Sequence, residues 1–323
     1  MSSESANNLI PDNAGSAIIQ QLQKVIVGQP DALEEIAVAI IAGGHVLLEG
    51  VPGTGKTLLV KALSYVTSTY FKRTQFTPDL MPSDIIGISV YNKAENKFKF
   101  QPGPIFCDFF LADEINRSPA KTQSALLEAL EERQATADGT PHKMSQLFTV
   151  FATQNPVEFE GTYPLPEAQT DRFMLKINID YPNEASEASI LDNIENGFDA
   201  SNLETAGLKT VFNRDSLFKT RNLVRKIHVE ELVRRYITQI IRATRSTPQV
   251  TLGASPRAAV MLMMASKAKA FLAGRDYVIP DDVKKMAKPV LRHRILLIPE
   301  AEIEGRTADD CIDHLLSHVE VPR

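Results

Sequence analysis

Several features that would narrow the class of this protein are missing from its sequence. Only two cysteines occur in 323 residues. Cys107 and Cys311 lie far apart in sequence, which argues against a disulfide framework and indicates reduced thiols. The 35 lysines and arginines do not exceed the 40 aspartates and glutamates. The resulting net charge of −5 gives no general reason to expect a nucleic-acid partner, and we see no internal repeat or low-complexity segment.

Targeting and membrane segments are also missing. The first residues, MSSESANNLIPD, lack the basic start and the apolar stretch of a secretory signal. The most apolar candidate span, Ile36 to Leu48, is interrupted by Gly43, Gly44 and His45 and is too short to cross a bilayer. We therefore expect a soluble, cytoplasmic protein without a membrane span. Its length and its composition, 43% hydrophobic and 23% charged, predict about two globular domains.

Short apolar runs predict the strands of a buried sheet. The runs are HVLLEG at 45–50, residues 106–112, LFTVFA at 147–152 and FMLKINI at 173–179. The third is apolar throughout, as expected inside a parallel sheet, whereas the fourth alternates apolar and polar residues and looks half exposed. Helical patterns separate the runs, which predicts a three-layer α/β sandwich around a parallel sheet.

Helical patterns are clear on both sides of these strands. Residues 16–42 show helical periodicity in two pieces, separated by VGQP at 27–30. Ser118 and Pro119 suit an N-cap and a first helical position. The run that follows carries leucines at helical spacing, namely Leu126, Leu127 and Leu130.

The character of the sequence changes after Tyr181 and Pro182. No convincing strand is visible there, and helical patterns dominate to the end. Residues 229–245 place apolar side chains on one helical face, namely Leu232, Val233, Tyr236, Ile237, Ile240 and Ile241. We expect an α/β core over residues 1–183 and an all-helical domain over residues 184–323.

Two segments interrupt the predicted core. GISVYNKAENKFKFQPG at 87–103 alternates Phe98 and Phe100 with lysines behind a polar turn, which predicts a β-hairpin. QATADGTPHK at 134–143 has Asp138-Gly139 at its centre, a strong signal for a tight hairpin turn. A plain α/β domain needs neither hairpin.

One glycine-rich turn carries a specific motif. Residues 50–57 read GVPGTGKT and match the pattern G-x-x-x-x-G-K-[ST], with a strand before them and a helical run after them. The glycines let backbone N–H groups close around phosphate oxygens, and the following helix adds its positive N-terminus. Lys56 would reach the β- and γ-phosphates of a nucleotide, while the Thr57 hydroxyl would bind Mg²⁺.

FFLADEIN at 109–116 ends an apolar run with two adjacent carboxylates, Asp113 and Glu114. Neighbouring anions repel each other, and charges beside a core are costly without compensation. For an isolated pair, a strand that runs out into a solvated loop is the plain interpretation. After a phosphate loop, we expect Asp113 to hold Mg²⁺ and Glu114 to deprotonate the water that attacks the γ-phosphate.

Two further polar residues flank the later strands. Asn155 in TQNP follows the third strand, where its amide could position that water, although Asn-Pro is also a common turn. Arg172 precedes the fourth strand and could simply pair with Asp171 or Glu167 on the surface. Alternatively it is an arginine finger, and beside a sheet edge it would reach a neighbouring subunit's nucleotide more easily than its own.

Arg257 is a candidate for electrostatic reasons. Ser255 and Pro256 predict an N-cap and a first helical position, which puts Arg257 in the first turn of a helix. A cation is unfavourable there unless a phosphate lies nearby, so we favour a γ-phosphate contact over a solvated surface arginine. A C-terminal set, Cys311, His314 and His318, has a spacing tolerable for zinc, but no fourth ligand is evident nearby.

In this order, the motifs resemble those of a AAA+ ATPase, and more narrowly those of the MoxR family. The most specific stretches are LADEINRSPAKTQSALLEALEERQ (111–134), TQNPVEFEGTYPLPEAQTDRF (153–173) and LGASPRA (252–258), and the resemblance covers roughly residues 19–300. By position it implies that Asp113 and Glu114 form Walker B, Asn155 is sensor 1, Arg172 the arginine finger and Arg257 sensor 2. It also implies that residues 50–57 form the Walker A loop and that Leu58 joins them in binding the nucleotide. These residues are Gly50, Val51, Pro52, Gly53, Thr54, Gly55, Lys56, Thr57 and Leu58.

The resemblance adds roles that the residues alone do not indicate. It implies that Val27, Gly28 and Gln29 lie beside the adenine. It also implies that the two hairpins correspond to the helix-2 insert and the pre-sensor hairpin and face the central channel of a hexamer.

The resemblance further implies an ATP- and Mg²⁺-dependent chaperone that remodels or matures partner proteins. In this family the partners often contain a von Willebrand A domain and take up a metal ion or cofactor. Two other classes stay open: a AAA+ motor of the magnesium-chelatase or nucleic-acid type, and a nucleotide-gated scaffold. Overall acidity and the absence of an appended DNA-binding motif count against a DNA motor, and the intact Lys56, Asp113, Glu114 and Arg172 count against a scaffold.

Overall fold

The computed structural model describes residues 14–155 and 162–322. The predicted start of the core at 1–13, and residues 156–161 within the TQNPVEFEGTY stretch, lie outside the described residues. The described strands are β1 (Val46–Glu49), β2 (Phe71–Gln75), β3 (Gly87–Asn92), β4 (Lys97–Pro102), β5 (Phe109–Asp113), β6 (Gln134–Ala137), β7 (Thr140–Lys143), β8 (Thr149–Gln154), β9 (Leu175–Asn178), β10 (Val250–Leu252) and β11 (Leu296–Leu297).

The described helices begin before the first strand and continue to the end of the chain. They are α1 (Ala14–Leu22), α2 (Pro30–Ala42), α3 (Lys56–Val66), α4 (Pro82–Ile86), α5 (Ala120–Glu132), α6 (Glu167–Thr170), α7 (Glu184–Glu195), α8 (Arg214–Lys226), α9 (Glu231–Ser246), α10 (Pro256–Leu272), α11 (Pro280–Leu291), α12 (Pro299–Ile303) and α13 (Ala308–His318). None of them is long and apolar enough to span a membrane.

The central sheet is parallel and has five strands in the order β2-β5-β8-β1-β9. Every residue of β5 is buried, while β9 alternates and forms one edge, as its sequence predicts. The other edge, β2, was not expected from the sequence, because FKRTQ carries a single apolar residue. The predicted three-layer α/β architecture is confirmed.

The two faces of the sheet bury alternate residues of each strand. On one face Phe109, Phe151 and Ile177 pack with residues of α1, α2 and α3. On the other face Phe110 and Val150 pack with the predicted leucines of α5. Because both faces are covered, the sheet leaves only its strand ends and edges for function.

The helical region also follows the sequence prediction, with two local differences. The predicted apolar face of α9 is buried, except that Leu232 is 54% exposed and lies at its margin. Two short strands that the sequence did not reveal, β10 and β11, form an antiparallel pair within this region. A further difference lies in the α/β core: α5 starts at Ala120, and Ser118, predicted to be its N-cap, donates its hydroxyl to the carbonyl of Ile115 instead.

Both predicted hairpins are present. β3 pairs with β4, and β6 pairs with β7 through a turn in which Asp138 and Gly139 both have positive φ, as a tight hairpin turn requires. The β3–β4 hairpin exposes apolar side chains on its surface, namely Ile88, Val90, Tyr91 and Phe98. Such an exposed apolar cluster is a candidate contact surface.

Candidate functional site

The phosphate loop connects β1 to α3 at the carboxyl end of the sheet. Gly53 and Gly55 have φ values of +85° and +82°, which turn successive backbone N–H groups toward one side of the loop. A side chain on Gly50 would place its Cβ 2.3 Å from the carbonyl oxygen of Ile179, so only glycine fits this approach to the chain after β9. The loop is therefore a preformed cradle at the positive N-terminus of α3.

Lys56 lies within this cradle. Its ammonium donates to the carbonyl oxygens of Gly50 at 2.5 Å and Val51 at 2.8 Å. Burial lowers the pKa of Lys56, and the nearby Asp113 and Glu114 carboxylates oppose that shift. The ammonium is thus placed between the loop and the two carboxylates.

Asp113 ends β5 and is almost fully buried. It accepts hydrogen bonds from the Thr153 hydroxyl at 2.6 Å and from the Thr57 hydroxyl at 3.4 Å. The guanidinium of Arg73 on β2 contacts it through Nε at 2.9 Å and Nη2 at 2.8 Å. Part of the charge compensation expected from Mg²⁺ therefore comes from Arg73, which no sequence motif indicates.

Glu114 adopts a left-handed backbone conformation, with φ of +56°, which a non-glycine residue seldom does. This turn separates its side chain from that of Asp113. Its carboxylate accepts from the Gln75 amide at 2.6 Å and pairs with Arg117 at 3.0 Å. Gln75 belongs to β2, the strand that the sequence reading did not find.

A cavity of about 380 Å³ lies between the phosphate loop and these carboxylates. Buried Asn155, immediately after β8, lines the cavity as predicted. The cavity is lined by Pro52, Gly53, Thr54, Gly55, Lys56, Thr57, Leu58, Asp113, Glu114, Thr153, Gln154 and Asn155. The structure thus brings together the predicted phosphate-binding loop, the two carboxylates and the amide of Asn155.

Val27, Gly28 and Gln29 are not among the residues that line this cavity. The Gln29 amide donates to the carbonyl of Asp180 at 2.6 Å, and a Cβ on Gly28 would collide with Ser186. The predicted adenine contact of these three residues stays a prediction.

Arg172 and Arg257 lie elsewhere in the molecule. Arg172 lies just before β9, which pairs in parallel with β1. The backbone N–H of Met174 donates to the carbonyl of His45, so Arg172 lies at the amino ends of both strands. The phosphate loop follows the carboxyl end of β1, so the length of the strands, roughly 10 Å, separates the two locations. Neither arginine is among the residues that line the phosphate cavity.

The two arginines meet at one carboxylate. Glu131 on α5 pairs with Arg172 at 2.8 Å and with Arg257 at 2.5 Å. Of the two surface partners considered for Arg172, Asp171 and Glu167, the first pairs instead with Arg294 at 2.7 Å. As predicted, Arg257 stands in the first turn of α10, and Glu131 pairs with it there. The predicted γ-phosphate contact of Arg257 stays a prediction.

The donor set suits a nucleotide with a divalent cation. Backbone N–H groups, the Lys56 ammonium and the N-terminus of α3 face the same cavity. The Asp113 carboxylate lies beside the Thr57 hydroxyl, and both are oxygen ligands of the kind that Mg²⁺ binds. Among residues 14–155 and 162–322, no cluster of three or more His, Cys, Asp or Glu side chains could hold a metal by itself. This result leaves the Cys311, His314 and His318 set without support as a zinc site.

Comparison with known proteins agrees with this arrangement. Residues 45–175 match the family described as ATPase family associated with various cellular activities (AAA), and residues 242–315 match the AAA lid domain. The protein is therefore an ATPase of the AAA class, with an α/β core and a helical lid.

The relatives narrow the class. The chain is 40% identical over 314 residues to "Chaperone MoxR1" of Mycobacterium tuberculosis, covering 94% of this chain and 81% of that protein. It is 45% identical over 304 residues to the protein YeaC of Bacillus subtilis, covering 94% and 93%. A crystal structure of a protein from Cytophaga hutchinsonii matches with a TM-score of 0.87 and 41% identity, over 97% of this chain and 96% of the other. The chain belongs to the MoxR family of AAA+ ATPases, as its motifs predict.

Proposed function

We propose that this chain hydrolyses ATP at the junction between two subunits of a ring, which we expect to be a hexamer. The phosphate loop holds the nucleotide, Thr57 and Asp113 hold Mg²⁺, and Glu114 deprotonates a water that Asn155 helps to orient. The bound Mg²⁺ would neutralise charge that develops on the phosphates. Val27, Gly28 and Gln29 would flank the adenine.

The observation that carries this proposal is the distance between the arginines and their own phosphate loop. Arg172 and Arg257 stand together at the amino end of the sheet, and Glu131 joins them. A phosphate held at the carboxyl end is out of their reach within one chain. Each subunit would therefore lend both arginines to the nucleotide of its neighbour.

Hydrolysis would drive the remodelling of protein clients in the cytoplasm. The relative named a chaperone and the exposed apolar residues of the β3–β4 hairpin support this role. From the family resemblance we propose that clients include von Willebrand A domain proteins that acquire a metal ion or cofactor. The division between core and lid near Asn183, where α7 begins, belongs to the same proposal.

Mixing of inactive subunits tests the arrangement. Arg172→Ala keeps its own pocket and Lys56→Ala keeps its arginines, so mixed oligomers form some complete sites. In equal mixtures with random placement, about a quarter of wild-type ATPase activity should return, because a site needs one specific pair of neighbours. Arg257→Ala mixed with Lys56→Ala should recover likewise.

The matched control mixes Arg172→Ala with Arg257→Ala, which damage the same side of the junction and should stay inactive. Light scattering and mass spectrometry establish that mixed oligomers have formed. If Arg257 served its own chain's nucleotide, Arg257→Ala with Lys56→Ala would show no recovery. Absence of recovery in both Lys56→Ala mixtures would refute the shared site.

A further inference from the structure

One carboxylate organises the arginine pair. Glu131 lies in the last turn of α5, and each of its oxygens accepts from a different arginine. Oε2 is 2.8 Å from Arg172 Nη2, and Oε1 is 2.5 Å from Arg257 Nη2. These arginines come from separate parts of the fold, one from the turn before β9 and the other from α10 in the lid.

Helix α5 supplies a second contact to the first of these arginines. Nη1 of Arg172 donates to the carbonyl oxygen of Leu127 at 2.5 Å, one turn before Glu131. Two groups on a rigid, well-packed helix therefore fix the Arg172 guanidinium. Its orientation depends on α5 and not only on its own loop.

Electrostatics explain why a carboxylate is needed at this position. Two guanidinium groups held close together repel each other, and a shared anion offsets that repulsion. The pair faces a cavity of about 240 Å³ that Arg133 also lines. Three arginines against one glutamate leave this cavity positive, which suits an anionic group arriving from outside the chain.

We propose that Glu131 is a positioning residue for ATP hydrolysis: it holds Arg172 and Arg257 side by side so that both reach one phosphate of the neighbouring subunit. This inference rests on the proposed function, because it assigns the phosphate to the neighbour. Glu131 itself touches no nucleotide in this arrangement. Loss of Glu131 therefore lowers the rate of hydrolysis at the neighbouring subunit's nucleotide and leaves the nucleotide pocket of its own chain intact.

The first test is the Glu131→Gln variant of the full chain. Its kcat should fall by about 10- to 100-fold, the effect expected when reacting groups are displaced by about an ångström. Its affinity for a fluorescent ATP analogue should change by less than about threefold, because the residues that bind the nucleotide in its own pocket are unchanged. Glu131→Asp, which keeps the charge, should regain part of the lost rate.

The matched control is Glu128→Gln, on the same helix. Glu128 is exposed and forms no ion pair with any residue in the described part of the chain. The substitution removes the same charge one turn away and should leave kcat within about twofold of wild type.

Subunit mixing separates a positioning role from a general structural defect. Glu131→Gln mixed with Lys56→Ala should recover activity, because Lys56→Ala subunits donate an intact arginine pair. Glu131→Gln mixed with Arg172→Ala should not recover, since both changes damage the same side of the junction. Glu131→Gln would then behave in these mixtures like an arginine variant and not like a variant of the phosphate loop.

Three results would overturn the inference: wild-type kcat in Glu131→Gln, recovery with Arg172→Ala, or no recovery with Lys56→Ala. Failure of the Arg172→Ala and Lys56→Ala mixture, by contrast, overturns the shared site itself. Circular dichroism and light scattering check folding and assembly of each variant. If Glu131→Gln does not fold, the same mixing experiments are done with Glu131→Asp, for which a smaller loss of kcat is expected.

Discussion

At the scale of single residues, Asp113 and Glu114 are adjacent in sequence and separate in space. The left-handed turn at Glu114 directs one carboxylate toward Thr57 and the other toward Gln75. The motif itself indicated the two carboxylates. Their partners Arg73 and Gln75 could not be found in this way, because they come from a polar strand about forty residues earlier that carries no apolar pattern.

Glu114→Gln tests the two proposed roles, in which Asp113 holds Mg²⁺ and Glu114 deprotonates the attacking water. The amide cannot accept a proton from water, so phosphate release should fall by about 10²- to 10⁴-fold. Binding of a fluorescent ATP analogue should persist, because Asp113, Lys56 and the loop are unchanged. Glu128→Gln serves again as the exposed control, and substantial turnover in Glu114→Gln would remove its assignment as the base.

At the scale of elements, apolar periodicity predicted those whose residues are mainly buried, and turn residues predicted the two largely exposed hairpins. β5 and α5 were predictable because their apolar periodicity matches their burial. β2 and the β10–β11 pair were not, since an edge strand or a very short pair buries few side chains. The contact between the phosphate loop and the chain after β9 was equally invisible, because it joins two backbones.

Gly50→Ala tests that backbone contact. The new Cβ would lie 2.3 Å from the carbonyl of Ile179, and neither backbone can yield without moving the loop or β9. Overpacking of this kind costs about 1–3 kcal/mol. Affinity for a fluorescent ATP analogue should therefore drop by about tenfold, while thermal unfolding stays cooperative. Unchanged binding would show that the loop position does not depend on this approach.

At the scale of the whole molecule, the α/β core and the helical region share one continuous hydrophobic core. Helix α2 packs against both, and its Glu34 pairs with Lys269 on α10 and Lys285 on α11. Buried Arg221 on α8 donates to the carbonyl of Ile40 at the end of α2 and to Thr149 at the start of β8. A division near Asn183 was predicted from the change in sequence pattern, but these contacts could not be predicted, since they join residues far apart in the chain.

Glu35 on the same helix makes stability depend on pH. Burial raises the pKa of its carboxyl from 4.5 to about 7. Between these values the folded chain binds more protons than the unfolded chain, so the free energy of unfolding falls as pH rises. Glu35→Gln should be about 1–3 kcal/mol more stable than wild type at pH 8, and this gain should vanish below pH 4.5.

Urea unfolding of both chains across this pH range measures the difference. Glu128→Gln, which removes an exposed carboxylate, should show no such trend. A difference between Glu35→Gln and wild type that stays constant with pH would contradict the raised pKa.

In the proposed shared site, Arg172 and Arg257 lie at the opposite end of the sheet from their own phosphate loop, so every subunit would have two complementary ends. One end would offer a nucleotide pocket that needs two arginines, and the other would offer the two arginines to a neighbouring pocket. An open chain of n subunits then contains n − 1 complete sites, whereas a closed ring contains n. Below the concentration at which subunits associate, the turnover per subunit would rise with protein concentration, so the amount of assembled protein would itself set the ATPase rate.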